Sequence, residues 1–250
     1  METNTKSEKK HSLEWIESPK QVRVMFNGQY VANSNHVKIL HETGHPPVYF
    51  FPEKDLRMNF LDATDHSTHC PFKGDASYWS VRVGDKLAEN AVWSYPEPIE
   101  DANFLAGHYA FYWDSMDAWF EEDEQIYVHP RNPNTRIDIR LSSRAVRVLH
   151  GGEMIADTNR PTLLFETRLP VRYYIPKADV RMDLLVPSDT ITRCPYKGGA
   201  KYYSIKIGED IHKDLVWYYP TPLPESVGIR DLVCFYHEKI HEFYVDDIPL

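Results

Sequence analysis

Hydrophobic and polar residues alternate through most of this chain, and that spacing predicts short strands rather than helices. Val22, Val24 and Phe26 fall on one face, and Asn27-Gly28 after them is a hairpin-turn signal, with Gly152 in the matching place later in the chain. Residues 48–51 and 172–175 are aromatic-rich strands that stop at Pro52 and Pro176. Val81 and Val83, like Ile205 and Ile207, point one way; Tyr78, Ser80 and Arg82, with Tyr202, Ser204 and Lys206, point the other. Further strands are expected over 91–95, 108–112, 215–219 and 232–236. No segment carries an apolar stripe of 3.6-residue period over three turns. One short helix is expected near 102–106 and another near 226–230.

These elements come in two sets. Residues 22–123 and 146–247 are one unit written twice at an offset of 124 positions. Arg57-Met58 matches Arg181-Met182, Cys70-Pro71-Phe72-Lys73-Gly74 matches Cys194-Pro195-Tyr196-Lys197-Gly198, and Trp93-Ser94-Tyr95-Pro96 matches Trp217-Tyr218-Tyr219-Pro220. The expected fold is therefore mainly β: two tandem copies of a small barrel, sandwich or β-tent domain, related by a pseudo-twofold axis as the subunits of a homodimer are. Residues 1–20 read as a polar tail in which Leu13, Trp15 and Ile16 dock on the first domain. Residues 21–124 are the first domain, 125–143 an extended linker and 144–250 the second domain. Ile137, Ile139 and Leu141 alternate with Arg136, Asp138 and Arg140, a periodicity that a flexible spacer lacks.

Composition narrows the function. The 250 residues are 42% hydrophobic and 26% charged, with a net charge of −9. Such acidity argues against general binding to nucleic acids or anionic membranes, which needs clustered Lys and Arg. Aromatics reach 13%, which suits β folds and stacking pockets. Three cysteines without disulfide-type spacing, a polar start without a secretory signal and no apolar membrane span point to the cytosol. The chain is expected to be a monomer or a weak homodimer.

Three groups of residues could carry chemistry. The loop Cys-Pro-Phe/Tyr-Lys-Gly places a thiol three residues from an ammonium, so Cys70 or Cys194 could act as a nucleophile, with His69 as base. The structural alternative is a buried thiol with the lysine capping a turn. The second group is Glu42, Arg57, Lys73, Tyr78, Trp93 and Tyr95, repeated as Glu166, Arg181, Lys197, Tyr202, Trp217 and Tyr219. Its cations suit a carboxylate or phosphate and its rings a planar group; the alternative is an ion pair at the edge of a core. The third is a histidine cluster, His36, His41, His45, His66 and His69. The second copy has Leu169, Thr190 and Arg193 in place of His45, His66 and His69, and no second well-spaced ligand pair is present, so no metal site is assigned. No cofactor follows from these residues.

At the segments 31–34, 42–49, 69–80 and 93–96 the chain resembles the domain-of-unknown-function family 427. There Glu42-Thr43-Gly44-His45-Pro46-Pro47-Val48-Tyr49 and His69-Cys70-Pro71-Phe72-Lys73-Gly74 are the most specific runs. The second copy, through Phe165-Glu166-Thr167 and Arg172-Tyr173-Tyr174-Ile175-Pro176, resembles the C-terminal member of tandem versions. The resemblance implies a compact, mainly β domain and no established activity. A nucleotidyltransferase-type label goes with the family, but no paired metal-binding carboxylates on a strand turn are found here. Arg193 departs from the family's histidine before cysteine. Three functions stay open: a binder of a small anionic or aromatic, nucleotide-like ligand in each repeat, an enzyme (hydrolase or transferase) using Cys, His and Lys, and a structural or protein-interaction module.

Overall fold

The structure is a computed structural model that describes residues 11–250. The polar start over 1–10, with its reading as no secretory signal, lies outside the described residues. The chain divides into two compact units, Met1–Asn132 and Pro133–Leu250.

The first unit contains β1 (Leu13–Glu17), β2 (Val22–Phe26), β3 (Gln29–Ser34), β4 (Lys38–Glu42), β5 (Val48–Pro52), β6 (Leu61–Cys70), β7 (Gly74–Val83), β8 (Lys86–Ser94), β9 (His108–Phe111), β10 (Ala118–Glu121) and β11 (Glu124–Ile126). They form a seven-stranded sheet in the order β1-β4-β5-β9-β8-β7-β6 and a four-stranded sheet in the order β11-β10-β2-β3. Asn27 and Gly28 take positive φ, 45° and 72°, the conformation of a two-residue hairpin turn. Every strand pairing is antiparallel. Each sheet ends in edge strands without closing, so the barrel among the expected architectures is not realised.

One core lies between the two sheets. Val22, Val24 and Phe26 from the small sheet meet Phe51, Val81, Val83 and Phe111 from the large one. The large sheet also buries its other face. Phe50, Ala76, Tyr78, Tyr95 and Ala110 pack there with Ala102 and Leu105, which belong to the 3-10 turn Glu100–Leu105. The short helix expected near 102–106 is this turn. Alternation explains the division: Trp79, Val81 and Val83 face the inner core, and Ala76 and Tyr78 face the outer one.

The second unit repeats the plan with β12 (Ile137–Leu141), β13 (Val146–His150), β14 (Glu153–Thr158), β15 (Thr162–Glu166), β16 (Arg172–Ile175), β17 (Leu185–Cys194), β18 (Gly198–Ile207), β19 (Asp210–Tyr218), β20 (Val233–Phe235), β21 (Glu242–Val245) and β22 (Ile248–Pro249). Its sheets run β12-β15-β16-β20-β19-β18-β17 and β14-β13-β21-β22. Its short helix is the 3-10 turn Pro224–Ile229. The repeat reaches further toward the N-terminus than the side-chain matches suggest. Leu13 pairs with Glu42 on the edge of one sheet as Ile137 pairs with Glu166 on the other. The stretches 1–20 and 125–143 thus each contribute an edge strand. Among the described residues no helix is long and apolar enough to cross a membrane.

Candidate functional site

The hairpin between β6 and β7 turns at Cys70–Lys73, where the Lys73 amide donates to the Cys70 carbonyl at 3.2 Å. Gly74 follows with φ 99°, a conformation that side chains resist. A Cβ there would lie 3.3 Å from both the Glu97 carbonyl oxygen and the Ile99 nitrogen. The turn carries Lys73 inward, where its ammonium pairs with Glu42 at the end of β4. Both side chains are only about a tenth exposed, 10% and 11%. His11 Nε2 donates to the other Glu42 oxygen at 3.1 Å, and its ring stacks on Phe72. Burial pushes the Glu42 carboxyl up, but the Lys73 hydrogen bond and charge, with His11 after them, hold it below the usual carboxylate range. The second copy builds the same pair, Lys197 to Glu166 at 2.5 Å.

Above this pair in the first unit lies a cavity of about 730 Å³. Glu42, Cys70, Lys73, Tyr78, Trp93 and Tyr95 all line it. Lys73 Nζ sits 5.9 Å from the Tyr95 ring centroid, and the Tyr78 hydroxyl meets Thr68 Oγ1 at 2.9 Å. Burial, reinforced by Cys70 and Tyr78, raises the Tyr95 hydroxyl well above its ordinary value. Burial and then the Tyr78 hydroxyl raise Tyr112 to about 12. These phenols hold their protons at neutral pH, which suits hydrogen bonding and stacking and not proton abstraction.

Three expected participants lie elsewhere. Arg57 is exposed at the entry to the 3-10 turn Met58–Phe60, with its amide on the Val31 carbonyl. Arg181, its counterpart, is also exposed and pairs with Asp183 at 2.6 Å. Neither lines the cavity wall. His69 neighbours Cys70 on an edge strand, so the two side chains leave on opposite faces. Its Nδ1 meets Asp75 Oδ1 at 2.6 Å among exposed groups, and the proposed Cys-His couple does not assemble. Cys70 and Cys194 are half-buried and unbridged. Of the other histidines, His45 lines the cavity, His66 packs on the Tyr78 ring and His41 is buried in β4. Among the described residues no group of three or more His, Cys, Asp or Glu could hold a metal ion.

Other wall residues escaped the sequence. Val48, Tyr112, Trp113, Asp114, Tyr127 and His129 also line the cavity. Tyr112 tilts over Trp93 with ring centroids 4.6 Å apart. A signal was present in the aromatic run Phe111-Tyr112-Trp113 and in the acid that both copies carry after it, Asp114 and Glu238. Tyr202, Trp217 and Tyr219 pack together in the second unit, where Trp217 is buried to 7% exposure.

The family described as a domain of unknown function (DUF427) matches this chain twice, over residues 14–122 and 138–246. No curated protein matches it.

Proposed function

The chain belongs to the DUF427 family and carries its domain in tandem, and from that premise we propose that its first copy binds a small organic molecule with a flat apolar body. The cavity carries this reading. Its volume of about 730 Å³ lies in the usual range for ligand pockets, which are apolar with a few fixed polar groups. Trp93, Tyr112 and Trp113 supply stacking faces, and the Lys73–Glu42 pair supplies polar atoms at the base. Because Glu42 already neutralises Lys73, an anionic ligand would have to compete for that ammonium, so a neutral or cationic molecule fits better. Three unbridged cysteines support a reducing, cytosolic setting.

The enzyme alternative draws support from Cys70, which shares the cavity wall with Glu42, His45 and His129, while Lys73 is engaged by Glu42. Ligand-observed NMR with benzamide on the full chain tests the binding reading. Binding that weakens on Tyr112→Ala, a change at a half-exposed wall position, supports it. Binding indifferent to wall substitutions, or absent for every flat probe, refutes it.

A further inference from the structure

The second copy carries a cationic side chain where the first copy carries valine. Arg172 begins β16 opposite Leu164; 124 positions earlier Val48 begins β5 opposite Leu40. The Arg172 guanidinium carbon lies 5.4 Å from the Trp217 ring centroid. Its terminal nitrogens reach both oxygens of Glu238, at 2.9 Å and 2.8 Å, and one lies 3.4 Å from His237 Nδ1. This is a planar cation stacked on an indole and clasped by a carboxylate in fork geometry.

The first copy keeps the indole and the carboxylate and lacks the guanidinium. Trp93, Asp114 and Val48, the counterparts of Trp217, Glu238 and Arg172, all line the cavity. Tyr112 leans on Trp93 at 4.6 Å as Tyr236 leans on Trp217 at 4.4 Å. The wall carries two carboxylates, Glu42 and Asp114, one ammonium, Lys73, which Glu42 already holds, and the imidazoles of His45 and His129.

We propose that the ligand of the first copy is a planar organic cation, a small guanidinium- or amidinium-bearing molecule that stacks on Trp93 and pairs with Asp114 where the second copy places Arg172. This rests on the binding function assigned above to the same cavity. Val48 leaves room for the group, and Trp93 with Asp114 recognises it.

Benzamidine, benzamide and benzoate share a ring and a size and differ in charge, so calorimetric titration of the full chain with each separates charge from shape. Benzamidine is expected to bind at least about tenfold more tightly than benzamide, with benzoate weakest. Asp114→Asn, at an exposed position, should remove that advantage. Arg172→Val should open a second benzamidine site in the same chain. Equal binding of all three probes, or a preference for benzoate, overturns the cationic ligand and leaves the binding function standing. Failure of all three to bind removes both. An advantage that survives Asp114→Asn, or a single site after Arg172→Val, overturns the correspondence with the second copy.

Discussion

Replacing Lys73 by Met keeps the length of the side chain and removes its charge. Glu42 is then left with 11% of its side chain exposed and with His11 as its remaining partner. Breaking a buried ion pair on one side costs about 3–5 kcal/mol, because a desolvated charge is stranded. Replacing both partners by apolar residues strands nothing and is often close to neutral. Lys73→Met should therefore destabilise the first unit by about 3–5 kcal/mol, and Lys73→Met with Glu42→Leu should recover most of that loss. Hydrogen exchange measured on the full chain can follow β7 in the first unit and β18 in the second, the latter serving as an internal control. Acid should act in the same direction as the single substitution. Since Glu42 is held below its usual range when folded, its contribution is present at neutral pH and is lost as the pH falls through that lowered value. A single variant that costs less than about 1 kcal/mol, or a double variant worse than the single, would refute the claim that the pair is a desolvated brace of the site.

His150 is buried in the second unit, and its Nε2 has no hydrogen-bond partner; burial, then His241 and His212, push its pKa down to about 4. The unfolded imidazole protonates first, so the second unit should lose up to about 3 kcal/mol between about pH 6.5 and pH 4, and His150→Phe, copying Phe26, should flatten that slope in hydrogen exchange; an unaltered slope contradicts this. Gly74→Ala should cost about 1–3 kcal/mol by thermal unfolding, since the new Cβ meets backbone on a left-handed residue, and a neutral substitution would show that the turn can relax. Iodoacetamide should label Cys70 no faster than a free model thiol, because Lys73 is engaged by Glu42 and His69 faces Asp75; rapid labelling near neutral pH would reinstate the nucleophile.

Much of the fold was legible because it is written twice. The alternation around Tyr78 and Val81 gave the two faces of the large sheet, and Asn27-Gly28 gave the hairpin. Glu42, Lys73, Tyr78, Trp93 and Tyr95 were legible because both copies carry them and the fold gathers them on one face. Arg57 and Arg181 are carried twice as well, yet they stand at the entry to a 3-10 turn, where repetition reflects the local chain path. His69 stands apart from Cys70 because neighbours in sequence leave a strand on opposite sides. Val48, the run Tyr112–Asp114 and Tyr127 come from three segments that the tertiary fold brings to one wall. The clearest hint at their role was a difference between the copies, Val48 against Arg172, which gains meaning once Arg172 is seen over Trp217.

The same difference can be copied into the first unit. Val48→Arg in the full chain would place a guanidinium over Trp93 beside Asp114, and titration with benzamidine followed by tryptophan fluorescence reads the consequence. Loss of benzamidine binding, with hydrogen exchange in both units unchanged, is the predicted result. A folded Val48→Arg chain that binds benzamidine as tightly as the unaltered protein would contradict it.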